Sequence, residues 1–228
     1  MQAEGRVLWV AEQLLGRFGV SVLAFDDPPL ETLILTILSQ NTNDVNRDRA
    51  YASLLATFKD FEHLRTAPLD SVAASIRVGG LNQQKARSIQ TALRRIHEER
   101  GALTLAFLRD LPRDDALRWL LDLPGVGPKT AGIVLLFSFG VPFFPVDTHI
   151  RRVMTRVGVL GKGDDPHETL NRILPEDAEL MGLLHLQAIQ LGRRFCHPRN
   201  PDCLSCPLQE RCTWHVRQRS QDEESVLS

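Results

Sequence analysis

The stretch LPGVGPKT, residues 123–130, decides how this chain is read. Two glycines flank Val126, a proline follows, and Lys129-Thr130 opens the apolar run AGIVLLFSF. A glycine turn ending in Lys-Thr first suggests a phosphate-cradling loop. That loop needs four residues between its glycines, a Gly directly before the Lys, and a strand in front. Here Pro128 separates Gly127 from Lys129, and LRWLLDL upstream looks helical, so this reading fails. What remains is a turn between two helices, whose glycines lack a Cβ and let a foreign backbone approach closely. The amides that open the second helix favour an anion, and a nucleic-acid phosphate fits without any sequence being read. A plain helix–helix turn with a surface lysine is the competing reading.

Composition sets the frame around this turn. The 228 residues are 43% apolar and 24% charged, enough for one sizeable globular unit or two small ones sharing a core. Period-two β-branched runs are scarce while Leu, Ala, Arg, Glu and Gln abound, so the chain is expected to be mostly helical. No signal peptide is visible, no window reaches the roughly 18 apolar residues of a membrane span, and a cytoplasmic location is expected. In that compartment a set of cysteines points to a metal site before disulfides. The net charge of −1 does not announce a nucleic-acid binder. Basic residues nevertheless gather at Arg47 and Arg49, at Lys85 and Arg87, at Arg151, Arg152 and Arg156, and at Arg193, Arg194 and Arg199. Each cluster taken alone also fits an ordinary solvated face.

Punctuation divides the chain into about ten helical segments. One runs from Gly5 to Phe18. Asp27 with Pro28-Pro29 starts the buried helix LETLILTILSQ, and Asp44 to Phe58 forms the next. Pro68 opens a helix that ends at Gly79-Gly80, and Asn82 caps a long one through Glu99. The helix after the glycine turn stops at Gly140. Asp147 to Val157 forms another, closed by Gly158. GKGDDPHET reads as a loop before LNRIL, Pro175-Glu176 begin the last long helix through Phe195, and RQRSQDEESVLS reads as a frayed tail.

Lys129 and Asp147 bear chemistry. Asp147 lies eighteen positions after Lys129, directly before a helix, where a carboxylate is a good N-cap. It also suits a carboxylate set opposite the lysine. A solvated lysine is only about 0.04% neutral at pH 7, so a nucleophilic one needs desolvation or nearby positive charge such as a helix N-terminus. A carboxylate beside it serves as proton acceptor or as partner for a developing cation.

All four cysteines stand in RFCHPRNPDCLSCPLQERC, spaced Cys196-x6-Cys203-x2-Cys206-x5-Cys212. A structural zinc site usually shows two C-x2-C knuckles and this segment has one. The asymmetric spacing suits a [4Fe-4S] cluster better than zinc, with disulfides a distant third. The intervening loop carries His197 and Arg199, a fixed basic knob if metal pins it.

Taken together, LPGVGPKT, VDTHI and the cysteine spacing resemble the helix-hairpin-helix DNA glycosylases of the endonuclease III type, in order and over the chain from about Leu30 to Cys212. The resemblance implies an all-α fold of two helical lobes with DNA in a cleft between them. One is a six-helix barrel lobe over 22–140; the other is an iron-sulfur cluster lobe from 1–21 plus 141–228, with a flexible tail over 217–228. It implies Lys129 as nucleophile, Asp147 as the essential carboxylate, and Cys196, Cys203, Cys206 and Cys212 as ligands of a [4Fe-4S] cluster. Gly125, Val126, Gly127, Thr130 and Arg199 would contact DNA. LSQNTND places Gln40 where the family inserts a glutamine into the space left by the extruded nucleotide, with Asn41 beside it. RVGGLNQQKA places Leu81 where the family uses an apolar wedge. Such residues offset the unstacking that base chemistry requires. Two departures stand out: Pro128 replaces the basic residue usual before the lysine, and Asn41 and Asn43 crowd the turn after Gln40.

The implied activity is a bifunctional DNA glycosylase and AP lyase removing oxidised pyrimidines from duplex DNA and nicking the abasic site by β-elimination. Its partner would be double-stranded DNA with damaged bases or abasic sites, its state monomeric, its place the cytoplasm beside the nucleoid. A mismatch thymine or uracil glycosylase of the same fold stands as the alternative, as does a non-catalytic helix-hairpin-helix DNA-binding protein with an Fe-S centre. An adenine-mismatch glycosylase would lack the lysine.

Overall fold

The computed structural model describes residues 2–226, which form twelve α-helices with three short 3-10 turns and no strand. The chain divides into two compact units, Ala24–Val141 and a discontinuous one of Met1–Leu23 with Pro142–Ser228. Among the described residues no helix is long and apolar enough to cross a membrane.

The continuous unit is built on two helices with no polar face. Helices α2 (Pro29–Leu38) and α8 (Pro128–Phe139) pack against each other, burying Leu33, Ile34, Ile37 and Leu38 against Ala131, Val134, Leu135 and Leu136. Each such valine, leucine or isoleucine contributes about 1.5–3 kcal/mol through burial. The threonines within α2 stay satisfied by bonding backward, Thr32 Oγ1 to Pro28 O and Thr36 Oγ1 to Thr32 O. Around this pair lie α3 (Asp44–Thr57), α4 (Phe61–Thr66), α5 (Leu69–Ser75), α6 (Asn82–Arg100) and α7 (Arg113–Leu121). The α6 stripe of Ile89, Leu93 and Ile96 is fully buried.

The discontinuous unit joins α1 (Ala3–Phe18) to α9 (Thr148–Val157), α10 (Pro166–Ile173), α11 (Ala178–Arg194) and α12 (Thr213–Val226). Val7, Val10 and Leu14 of α1 share a core with Met181, Leu184 and Leu191 of α11 and with Ile150, Met154 and Val157 of α9. Arg6 ties the distant ends of the sequence, donating to Val157 O at 3.1 Å and Arg211 O at 3.0 Å.

Several boundaries differ from the sequence expectation, each for a local reason. The sequence reading gives no helix over 61–66, where Asp60 caps α4 by accepting the His63 amide at 2.8 Å. GKGDDPHET is only partly a loop, because Asp165 caps α10 and Pro166 occupies its first turn. Asp177, rather than Pro175-Glu176, starts α11. Asn82 does not cap α6; it is the first helical residue, and Leu81 stands at the cap in a left-handed conformation, φ 47°. Beyond Cys212 the backbone is helical to Val226 where a frayed tail is expected, and residues 227–228 of that tail lie outside the described residues.

Candidate functional site

Within the continuous unit, the hairpin between α7 and α8 is a tight turn, with the Val126 amide donating to Leu123 O at 3.0 Å. Its two glycines serve different ends. Gly125 has φ +80°, and a Cβ there would lie 2.3 Å from Ser88 Oγ, so the turn packs directly onto α6. Gly127 has ordinary extended backbone and nothing within 4 Å of where its Cβ would be. Packing inside the chain therefore explains the first glycine and not the second. Pro128 fills the first helical position, so the amide donors near the α8 N-terminus belong to Lys129 and Thr130. Val126 is 6% exposed and Thr130 3%, so any outside contact they make goes through backbone.

The C-terminal end of α2 meets this hairpin. Gln40 Nε2 donates to Gly125 O at 2.8 Å, and Lys129 Nζ donates to Ser39 Oγ at 3.4 Å. The chain then turns at Asn41, φ 51° and exposed, before Asn43 caps α3 by accepting the Asn46 amide at 2.9 Å. Gln40, Gly125 and Lys129, scattered over the sequence, thus stand together.

Lys85 is not part of a surface basic cluster. Its side chain is 2% exposed, and Nζ donates to Leu38 O at 2.7 Å and to Gly79 O at 2.8 Å. Burial pushes its pKa below the ordinary lysine value. The buried ammonium joins the end of α2, just before Ser39-Gln40, to the Gly79-Gly80 turn that carries Leu81. That leucine is 50% exposed on strained left-handed backbone, an apolar side chain held out to solvent. The resemblance carried by RVGGLNQQKA was the available signal for Leu81; nothing in the sequence marked Lys85 as buried.

In the discontinuous unit Asp147 caps α9, its Oδ1 accepting the Ile150 amide at 2.7 Å. The cap fixes the carboxylate to a rigid helix. The segment before it is held by His167, whose Nε2 accepts the Val146 amide at 3.2 Å, and by His185 paired with Pro145 O at 2.9 Å. Burial pushes the pKa of His167 down, and Asp165 opposes this more weakly. His149 is likewise lowered by burial, with Arg152 and Arg193 adding to it and Asp147 working against it.

Two α9 arginines expected as a basic patch instead clamp the cysteine loop. Arg152 donates to Cys196 O at 2.8 Å and Gly192 O at 2.9 Å. Arg156 donates to His197 O at 2.6 Å, to Pro198 O at 3.0 Å, and to Cys196 Sγ at 3.4 Å. Arg199 follows on this pinned loop and is exposed. Burial pushes the Cys206 thiol up to about 11 and raises Cys203 and Cys212, and in each case the other cysteines push in the same direction. The four thiols are therefore within electrostatic reach of one another, and none is in a disulfide. Among the described residues no group of three His, Cys, Asp or Glu stands at the spacing that holds a metal ion. Four thiols brought together by one loop are a donor set that fits a thiolate-held iron-sulfur cluster.

The profile of the HhH-GPD superfamily of base excision DNA repair proteins matches residues 34–175, more than half of the chain. Endonuclease III of Thermotoga maritima is 36% identical over 192 residues, spanning 83% of this chain and 84% of that protein. A solved non-covalent endonuclease III–DNA complex superposes with a TM-score of 0.80 at 29% identity, covering 96% of this chain and 100% of its counterpart. A solved trapped endonuclease III–DNA covalent intermediate gives the same TM-score, 0.80, identity and coverage.

Proposed function

The chain belongs to the HhH-GPD superfamily of base excision DNA repair proteins, and from that premise we propose which residues do its chemistry and on which damage. It is a DNA glycosylase with AP lyase activity of the endonuclease III type, and it binds DNA. Its substrates in this reading are oxidised pyrimidines in duplex DNA, attacked by a single protein chain in the cytoplasm.

Neutral Lys129 attacks C1′ of the extruded nucleotide, and the bond to the damaged base breaks. The Asp147 carboxylate balances the positive charge that develops on the sugar, the kind of preorganised stabilisation worth several kcal/mol. The open-chain sugar remains joined to Lys129 Nζ as a Schiff base. Loss of a C2′ proton then expels the 3′ phosphate, and water hydrolyses the imine to free the lysine. Gln40 takes the space of the extruded nucleotide and Leu81 wedges the stack, with Asn41 beside them. Backbone amides of the 125–130 turn and the side chain of Arg199 hold phosphates. Cys196, Cys203, Cys206 and Cys212 would hold a [4Fe-4S] cluster that fixes the 196–212 loop and takes no part in bond breaking.

One observation carries this reading: Lys129, in the first turn of α8 and two residues after a glycine whose Cβ position is open, donates to Ser39 next to Gln40, which itself bonds the same hairpin. The test is a duplex carrying one thymine glycol. Release of the base with a nick at the same position is expected. Removal of thymine or uracil from G mismatches, with thymine glycol left intact, would instead favour the mismatch-glycosylase alternative.

A further inference from the structure

Helix α9 presents a second surface besides its capping carboxylate. Thr148, Arg151 and Arg152 lie on the side that faces α12, and Arg156 continues it one turn further. From α12 come Trp214 and Arg217, and the two helices enclose a groove of about 540 Å³, a volume typical of ligand sites. Four guanidinium groups line it, and among the described residues no carboxylate does. Arg152 and Arg156 spend their hydrogen bonds on the cysteine loop, yet their charge stays at the groove wall. Arg151 and Arg217 are exposed.

The groove is built rather than incidental. Thr213 Oγ1 donates to Arg156 O at 2.8 Å, seating the first residue of α12 on the last turn of α9. Gly158 makes room for that seat, since a Cβ there would lie 2.8 Å from Thr213 Cγ2. The Arg156 guanidinium lies 4.8 Å over the Trp214 ring, fixing an indole that is still 40% exposed. A row of positive charge beside a flat aromatic wall suits a DNA backbone: charge tracks the phosphates while the ring packs against a deoxyribose.

We propose that the α9–α12 groove binds a length of DNA backbone flanking the damaged nucleotide, as an extension of the binding surface beyond the hairpin and the cysteine loop. This rests on the reading that the protein acts on DNA. It also gives a role to α12, which lies beyond the Leu30–Cys212 stretch that carries the sequence resemblance: without Trp214 and Arg217 the α9 arginines would have no facing wall.

The experiment measures affinity against salt for a duplex holding one tetrahydrofuran abasic analogue, using native protein and the Arg151→Gln/Arg217→Gln double variant. The expected variant binds at least tenfold more weakly, and its slope of log affinity against log salt is shallower by about two. The Arg151→Lys/Arg217→Lys variant keeps the native slope, which separates charge from folding. Shortening the duplex on one side of the analogue should erase the native advantage. Equal affinity and slope for native and Gln variant on the full duplex would overturn the groove. Native protein that binds with arginine dependence but shows no preference for the abasic analogue would leave the groove standing and overturn the repair reading instead.

Discussion

Asp147 Oδ1 accepts the Ile150 amide at 2.7 Å, so the carboxylate assigned to the developing cation is tied down by the helix it begins. The two jobs separate by substitution. Asparagine caps a helix as well as aspartate but carries no charge. Asp147→Asn is expected to unfold within about 0.5 kcal/mol of the native protein while base removal falls about 100-fold or more. Asp147→Ala loses about 1 kcal/mol of stability as well. Native-like turnover by the asparagine variant would show that the charge is not used. Lys85 teaches the complementary lesson. In sequence it is one more basic residue beside Arg87; in the fold its two carbonyl partners make it a strut between the Gln40 and Leu81 turns.

The hairpin yields a prediction that belongs to the element. Gly125→Ala forces a Cβ to 2.3 Å from Ser88 Oγ on backbone with φ +80°, and should destabilise the protein by several kcal/mol. Gly127→Ala meets nothing within the chain and should cost at most about 1 kcal/mol, yet the proposed phosphate contact at this turn predicts weaker DNA binding. Chemical denaturation and binding isotherms check the pair; unimpaired binding by Gly127→Ala would mean no backbone approaches there.

The segment leading into α9 is pH-sensitive for a stated reason. His167 must keep Nε2 unprotonated to accept the Val146 amide, and burial depresses its folded pKa below the ordinary 6.5. Below that value the unfolded chain binds a proton the folded one refuses, so stability is full above about pH 6.5 and falls as pH drops toward the folded pKa. Thermal unfolding at about pH 8 and about pH 5.5 should show a larger acid loss for native protein than for His167→Gln. Parallel losses would exclude this histidine as a source.

For the whole molecule, much was legible because its strongest signals are local. The glycine turn, the run LETLILTILSQ and the single C-x2-C knuckle each depend on a few neighbouring residues, and each sits in the helix or loop expected of it. Contacts across long sequence gaps were not legible. The clamp of Arg156 on the cysteine loop, the seat of α12 on α9, and the bond from Gln40 to Gly125 depend on tertiary packing, and charge patterning reads those arginines as solvent-facing. The four gathered thiols predict purified protein that is brown, with broad visible absorption, and Cys206→Ser protein with much less iron. Stoichiometric zinc without iron would contradict the cluster.

The most direct measurement is borohydride reduction of the protein on an oligonucleotide with one abasic site. The imine formed by Lys129 should be trapped as a stable covalent protein–DNA adduct, and Lys129→Ala should give none while remaining folded. An undiminished adduct from the alanine variant, or none from native protein that binds the same DNA, would contradict the assignment of Lys129 as nucleophile.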